Sequence, residues 1–168
     1  MKALSGYAEW FWLMAKNWKN VENRPRPLPR EIAFNLPIRI YLHASKSDHV
    51  QRHADELEFI IMNLTTEQLA EFCSVPWDKL RGNIIGEITI TKQMRKFHYV
   101  ESDGVDIGSQ QKELEIFIAN SEPCMSPWFF GPFGYVVQDG RLYDKPIPCK
   151  GQLGFFVPVI AQNACCER

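Results

Sequence analysis

The chain has 168 residues, 45% of them hydrophobic and 23% charged, with a net charge of −1. That is enough apolar material for one domain with its own core. The neutral balance argues against a strong nonspecific DNA binder, whose affinity would rest on many phosphate contacts.

Lys2 to Ser5 reads as a short strand. From Tyr7 to Trp18 apolar residues recur at 7, 11, 14, 15 and 18, the spacing of a helix that buries one face. Asn17 suits a left-handed position at the end of that helix, a conformation Asn tolerates better than most residues. Residues 20–24 form the next strand, and prolines at 25, 27, 29 and 37 predict an extended, exposed connection after it. Ile38 to His43 alternates as a strand does, with Ile38, Ile40 and Leu42 on one side and Arg39, Tyr41 and His43 on the other. Ser47 or Asp48 caps a helix running to about Leu64. Thr65 and Gln68 make a capping box for a shorter helix that ends near Cys73.

Asn83 to Lys92 is a further strand. Residues 93–125 carry the weakest pattern, with a turn at residues 101–104 and a helix over residues 110–119. Phe133 to Gln138, a turn at Asp139 and Gly140, Arg141 to Tyr143, and Leu153 to Val157 supply the last strands. The expectation is one α+β domain over residues 1–159, built on a small curved sheet, with a loose tail at 160–168. No run approaches the ~20 apolar residues of a membrane span, and Glu9 breaks the apolar N-terminal stretch that a signal peptide would need. Five scattered cysteines then predict a reduced, cytoplasmic protein rather than a disulfide framework.

Charge is uneven along the chain. Between Ala15 and Lys46 the basic residues exceed the acidic ones by five, a local positive field that suits a phosphate or a short nucleic acid and equally a solvated Arg- and Pro-rich loop. Lys19, Glu22, Asn23 and Arg24 crowd a helix-to-strand junction at the rim of the core. Lys19 and Arg24 suit a phosphate or carbonyl, and Glu22 or Asn23 a donor or acceptor edge; the plainer alternative is a surface ion pair. Glu87 sits within a strand, opposite Ile88 and Ile90 in alternation, so its carboxylate needs a partner, for which Lys19 is the candidate. Trp128, between Pro127 and the Gly131-Pro132 pair, lies in a loop with no regular pattern to bury it, and is the stacking candidate. His49 and His53 have helical spacing for a metal but no third ligand, so no metal and no cofactor are expected.

The order of these pieces resembles the ASCH family (activating signal cointegrator homology) of the PUA-like superfamily. The resemblance rests on a tryptophan-rich helix followed by Lys19-Asn-Val-Glu-Asn-Arg24, then His43-Ala-Ser-Lys46, Ile85-Gly-Glu-Ile88, and the two blocks at residues 126–135 and 147–154. It implies a small mixed β-barrel flanked by helices, with a cleft at one side. It also brings His43, Ser45 and Lys46 forward as binding residues, although Ser45 could equally cap the next element. Some small bacterial members resemble this layout and deacylate acetylcytidine, using a lysine, a threonine three residues later, and a glutamate on a later strand. Lys19 and Glu87 match the first and third roles, whereas Glu22 stands at the threonine position.

The reading that follows is an RNA- or nucleotide-binding domain, with a modified base as one ligand. Lys19, Asn23, Arg24, His43, Ser45, Lys46 and Trp128 form its site, and RNA, single-stranded nucleic acid or a nucleotide is its partner. The alternative is a small hydrolase, an amidohydrolase or nuclease, with Lys19, Glu22 and Glu87 as its catalytic group.

Overall fold

Residues 1–95 and 126–160 are described by a computed structural model of the chain. In chain order the elements are β1 (Ala3–Gly6), α1 (Ala8–Ala15), β2 (Val21–Arg24), α2 (Arg30–Ala33), β3 (Ile38–Ala44), α3 (His49–Arg52), α4 (Ala54–Met62), α5 (Thr66–Cys73), α6 (Trp77–Leu80), β4 (Asn83–Arg95), β5 (Phe133–Pro148) and β6 (Phe155–Phe156). They build a mixed α+β fold in which helices flank one six-stranded sheet of order β2-β5-β4-β3-β1-β6. β1 and β3 run parallel and the other neighbours antiparallel. The sheet curls into a half-barrel. One contact demonstrates the curl: Arg24 on edge strand β2 donates from Nη2 to the Ser5 carbonyl on β1 at 2.9 Å, although β5, β4 and β3 lie between them in the sheet.

α1 packs across β3, β4 and β5. All eight of its residues are buried, not the single face that the spacing suggested. A helix apolar on every side belongs inside a core, and the run from Trp10 to Ala15 has that composition. Each fully buried side chain such as Phe11 or Leu13 contributes roughly 1.5–3 kcal/mol to the core that also holds Ile40, Leu42, Ile88 and Ile90. Glu9 is carried inside with them at 0% exposure, where Arg81 Nη2 meets its carboxylate at 2.7 Å. A buried charge requires such a partner.

Local signals held where neighbours in sequence make the contact. Asn17 is left-handed, at φ 60°. Thr65 and Gln68 form the reciprocal capping box at the start of α5. Three other expectations need correction. The proline-rich connection is not simply extended and exposed, because it contains α2 and buries Leu28 and Ile32. The helix from residue 48 to 64 is broken at His53, whose extended backbone (φ −108°, ψ 102°) ends α3 and starts α4. Asp55 and Glu56 in the first turn of α4 favour a fresh helix start there, since acidic groups complement the N-terminal end of the helix dipole.

The third correction is at Asp139 and Gly140, which bulge within one long β5 instead of turning the chain. Register passes from Glu87–Arg141 to Thr89–Gln138 across them. Asn17 repairs the ladder there, its side chain bonding both Gly140 N (2.6 Å) and Gly140 O (2.8 Å). The turn and helix expected within residues 101–119, and the tail beyond Ile160, lie outside the described residues. No helix among the described residues is long and apolar enough to cross a membrane.

Candidate functional site: a basic, aromatic-walled cleft

The curl of the sheet leaves a cleft of about 1040 Å³ between the end of β2, the junction of β1 with α1, the end of β3 and the chain at 149–153. Seven of the residues picked out in the sequence line it: Lys19, Glu22, Asn23, Arg24, His43, Ser45 and Lys46. They come from two chain segments whose proximity depends on the curl, not on any single strand pairing.

Lys19 follows α1 and is 2% exposed. Its ammonium donates to the Val21 carbonyl and, at 3.1 Å, to Glu22 Oε2, and lies 5.5 Å from the centre of the Trp10 ring. Glu22 Oε1 meets Arg24 Nη2 at 2.8 Å, so one carboxylate bridges two cations. Burial pulls the Lys19 pKa below its ordinary value, with Glu22 opposing that shift. Loss of hydration disfavours the charged amine more than one shared carboxylate restores it. Arg24 holds the Ser5 carbonyl with the same nitrogen that meets Glu22, while its Nε is buried without a protein partner among the described residues. Ser45 Oγ is likewise buried and unpartnered.

Asn23 does not present a free amide edge. Its Nδ2 donates to the Trp128 carbonyl at 2.7 Å, and its Oδ1 accepts from the backbone N–H of Phe130 (3.1 Å) and Gly131 (3.0 Å). It therefore shapes the loop that brings Phe130 to the cleft. Trp128 is not the stacking platform: it is 5% exposed, edge-on to Trp10 at 6.3 Å and to Phe59 at 5.8 Å. Its proline and glycine neighbours bend the loop so that the indole turns into the core. Phe130, 51% exposed, takes the position at the cleft. Tyr7 also lines it, stacked on His49 at 4.8 Å.

His43 is 3% exposed and occupied at both ring nitrogens, by Ser5 Oγ at 2.8 Å on Nδ1 and the Cys149 carbonyl at 3.0 Å on Nε2. Lys46 is exposed at the rim. Lys150 is also exposed and lines the same cleft. Sequence reasoning missed Ser5, Phe130 and Lys150 as site residues. The last two stand inside motif blocks already recognised, but only the folded sheet shows which members of a block face the cleft.

Glu87 is not part of this constellation. Its carboxylate accepts from Arg39 Nη2 (2.9 Å) and Tyr143 Oη (2.9 Å), and its cross-strand partners are Tyr41 and Arg141. Burial pushes its pKa up, but the bonds from Arg39 and Tyr143 and the nearby guanidinium charges outweigh burial and leave it below the usual value. The expected meeting of Lys19 with Glu87 does not occur, because the Arg39 and Tyr143 side chains on flanking strands reach the carboxylate first. His49 Nε2 instead meets Glu56 Oε1 at 3.0 Å, and its ring lies 3.9 Å from that of His53. Among the described residues no group of three or more His, Cys, Asp or Glu is placed to hold a metal.

No protein-family model matches the chain, and no curated protein does. Among solved structures it is similar to two crystal structures of mutant ZmASCH from Zymomonas mobilis, each 15% identical and covering 87% of this chain. They match over 73% and 72% of the ZmASCH chains, with TM-scores of 0.39 and 0.38. That likeness transfers no residue role to this chain.

Proposed function

We propose that the cleft binds a nucleotide or a short single-stranded RNA. The carrying observation is the convergence, around one cleft, of the exposed Lys46 and Lys150 with Arg24 and the half-exposed ring of Phe130. Single-stranded nucleic acid is bound by that combination: cations track the phosphates, and a flat ring stacks on a base whatever its identity. The motif order resembling the ASCH family supports the same reading. A modified base as the ligand is supported by the apolar Trp10 and Phe130 lining the cleft, and by the buried Arg24 Nε and Ser45 Oγ, which have no partner among the described residues. The hydrolase built on Lys19 and Glu87 is less favoured, since Glu87 is engaged elsewhere.

The test is titration of a labelled short RNA at low salt and at roughly fourfold higher salt. With Lys46, Lys150 and Arg24 each meeting a phosphate, log K should fall with log salt at a slope of about −2. Lys46→Ala and Lys150→Ala should each make that slope shallower, and Phe130→Ala should cost about 1–3 kcal/mol with the slope unchanged. Binding that is absent, or indifferent to both salt and these substitutions, would overturn the proposal.

A further inference from the structure

Ser5 and His43 are register partners on the parallel strands β1 and β3, and both line the cleft. The bond between them is 2.8 Å from Ser5 Oγ to His43 Nδ1. The other ring nitrogen fixes its direction. Nε2 lies 3.0 Å from the Cys149 carbonyl, which can only accept, so Nε2 carries the proton. In the neutral ring Nδ1 is then the acceptor, and the Ser5 hydroxyl donates to it. Burial pushes the His43 pKa below its ordinary value, which keeps the ring neutral near pH 7. The ring is also clamped: a Cβ on Gly151 would fall 2.2 Å from His43 Cε1, so the backbone after Cys149 lies directly against it. A hydroxyl bonded to an oriented, neutral imidazole, itself held by a third group, is the arrangement of an activated serine nucleophile.

We infer that Ser5 and His43 form a nucleophile–base pair that hydrolyses an acyl ester whose alcohol carries an anionic group. The cationic surroundings select that class. Arg24 Nη2, which also meets Glu22, donates to the backbone carbonyl of Ser5 itself at 2.9 Å, while Lys46 and Lys150 are exposed residues of the same cleft. Ser5 Oγ attacks the ester carbonyl carbon and forms a C–O bond as its proton passes to His43 Nδ1. The guanidinium of Arg24 supplies positive charge near the resulting oxyanion. The bond to the alcohol breaks, and His43 returns the proton to the departing oxygen. Water then attacks the acyl-serine, giving a proton to Nδ1. The acid leaves and Ser5 recovers its hydroxyl hydrogen. No metal or redox partner is needed for the balance. The inference goes beyond binding and does not depend on whether RNA is the ligand.

A fluorophosphonate probe tests it on the unmodified protein, with peptide mass spectrometry locating the adduct. The expected result is modification at Ser5, lost in Ser5→Ala, together with hydrolysis of p-nitrophenyl acetate that disappears in the same variant. A second variant avoids reliance on one probe. In Ser5→Cys the imidazole should draw the thiol proton, so iodoacetamide should alkylate Cys at position 5 about tenfold faster than the exposed Cys73 of the same molecule. A probe that leaves Ser5 unmodified, or a position-5 thiol no faster than Cys73, overturns the inference. RNA titrations on the same preparation report separately on the proposed binding function.

Discussion

Glu22→Gln isolates the charge that holds the cleft together. The substitution keeps the shape of the side chain but removes the carboxylate shared by Lys19 at 3.1 Å and Arg24 at 2.8 Å. Lys19 is 2% exposed, so water cannot replace the lost partner, whereas the Arg24 side chain, 21% exposed, recovers part of its hydration. Breaking a buried pair costs about 3–5 kcal/mol, and the accessibility of Arg24 places this case at about 3. For a chain of this size that corresponds to a fall in Tm of roughly 6–12 °C. The deficit should also depend on pH. Glu22 is the main influence raising the Lys19 pKa, so its removal lowers that pKa further below the unfolded value near 10.5. Between the two values the unfolded chain binds more protons than the folded one, and stability therefore rises with pH. The deficit of the variant should shrink from pH 7 toward pH 10. Urea unfolding followed by tryptophan fluorescence at several pH values measures this directly. A deficit below ~1 kcal/mol at pH 7 would mean the pair is screened like a surface one, and a deficit that widens with pH would refute the argument outright.

Other substitutions probe the frame around the site. Gly86→Ala should destabilise the protein by about 3 kcal/mol or more, because its Cβ would fall 2.3 Å from the Arg141 carbonyl of β5. Gly154→Ala meets nothing within 4 Å and should cost only about 1–2 kcal/mol for its positive φ; equal losses in thermal melts would discredit the comparison. Asn17→Gly preserves the left-handed backbone but removes both bonds to Gly140, so a loss of about 1–3 kcal/mol is expected in denaturant titrations. His43 has a folded pKa lowered by burial, so its contribution to stability should be full above about pH 6.5 and decline as pH falls from there to the folded value. His43→Gln should flatten that part of the stability profile, and an unchanged acid slope would show that another group sets it.

What the chain determined by itself is what neighbours in sequence decide. The capping box needs only Thr65 and Gln68, three residues apart. Alternation in Ile38 to His43 needs only the two-residue period of a strand, and Asn17 needs only its own tolerance for a left-handed backbone. The basic cluster after α1 was legible because Lys19, Glu22 and Arg24 meet within six positions. Everything decided by distant partners was not. Glu87 is claimed by Arg39, 48 residues earlier, and by Tyr143, 56 residues later. Glu9 could enter the core only because Arg81, 72 residues away, folds back to meet it. Trp128 is buried by Trp10 and Phe59, which no local pattern around it announces. Ser5 and His43 become a pair through the parallel register of β1 and β3, and the cleft exists because the sheet curls until Arg24 reaches Ser5. Side-chain chemistry is written residue by residue, but which groups share a site follows from loop closure and strand order, which depend on the whole chain at once.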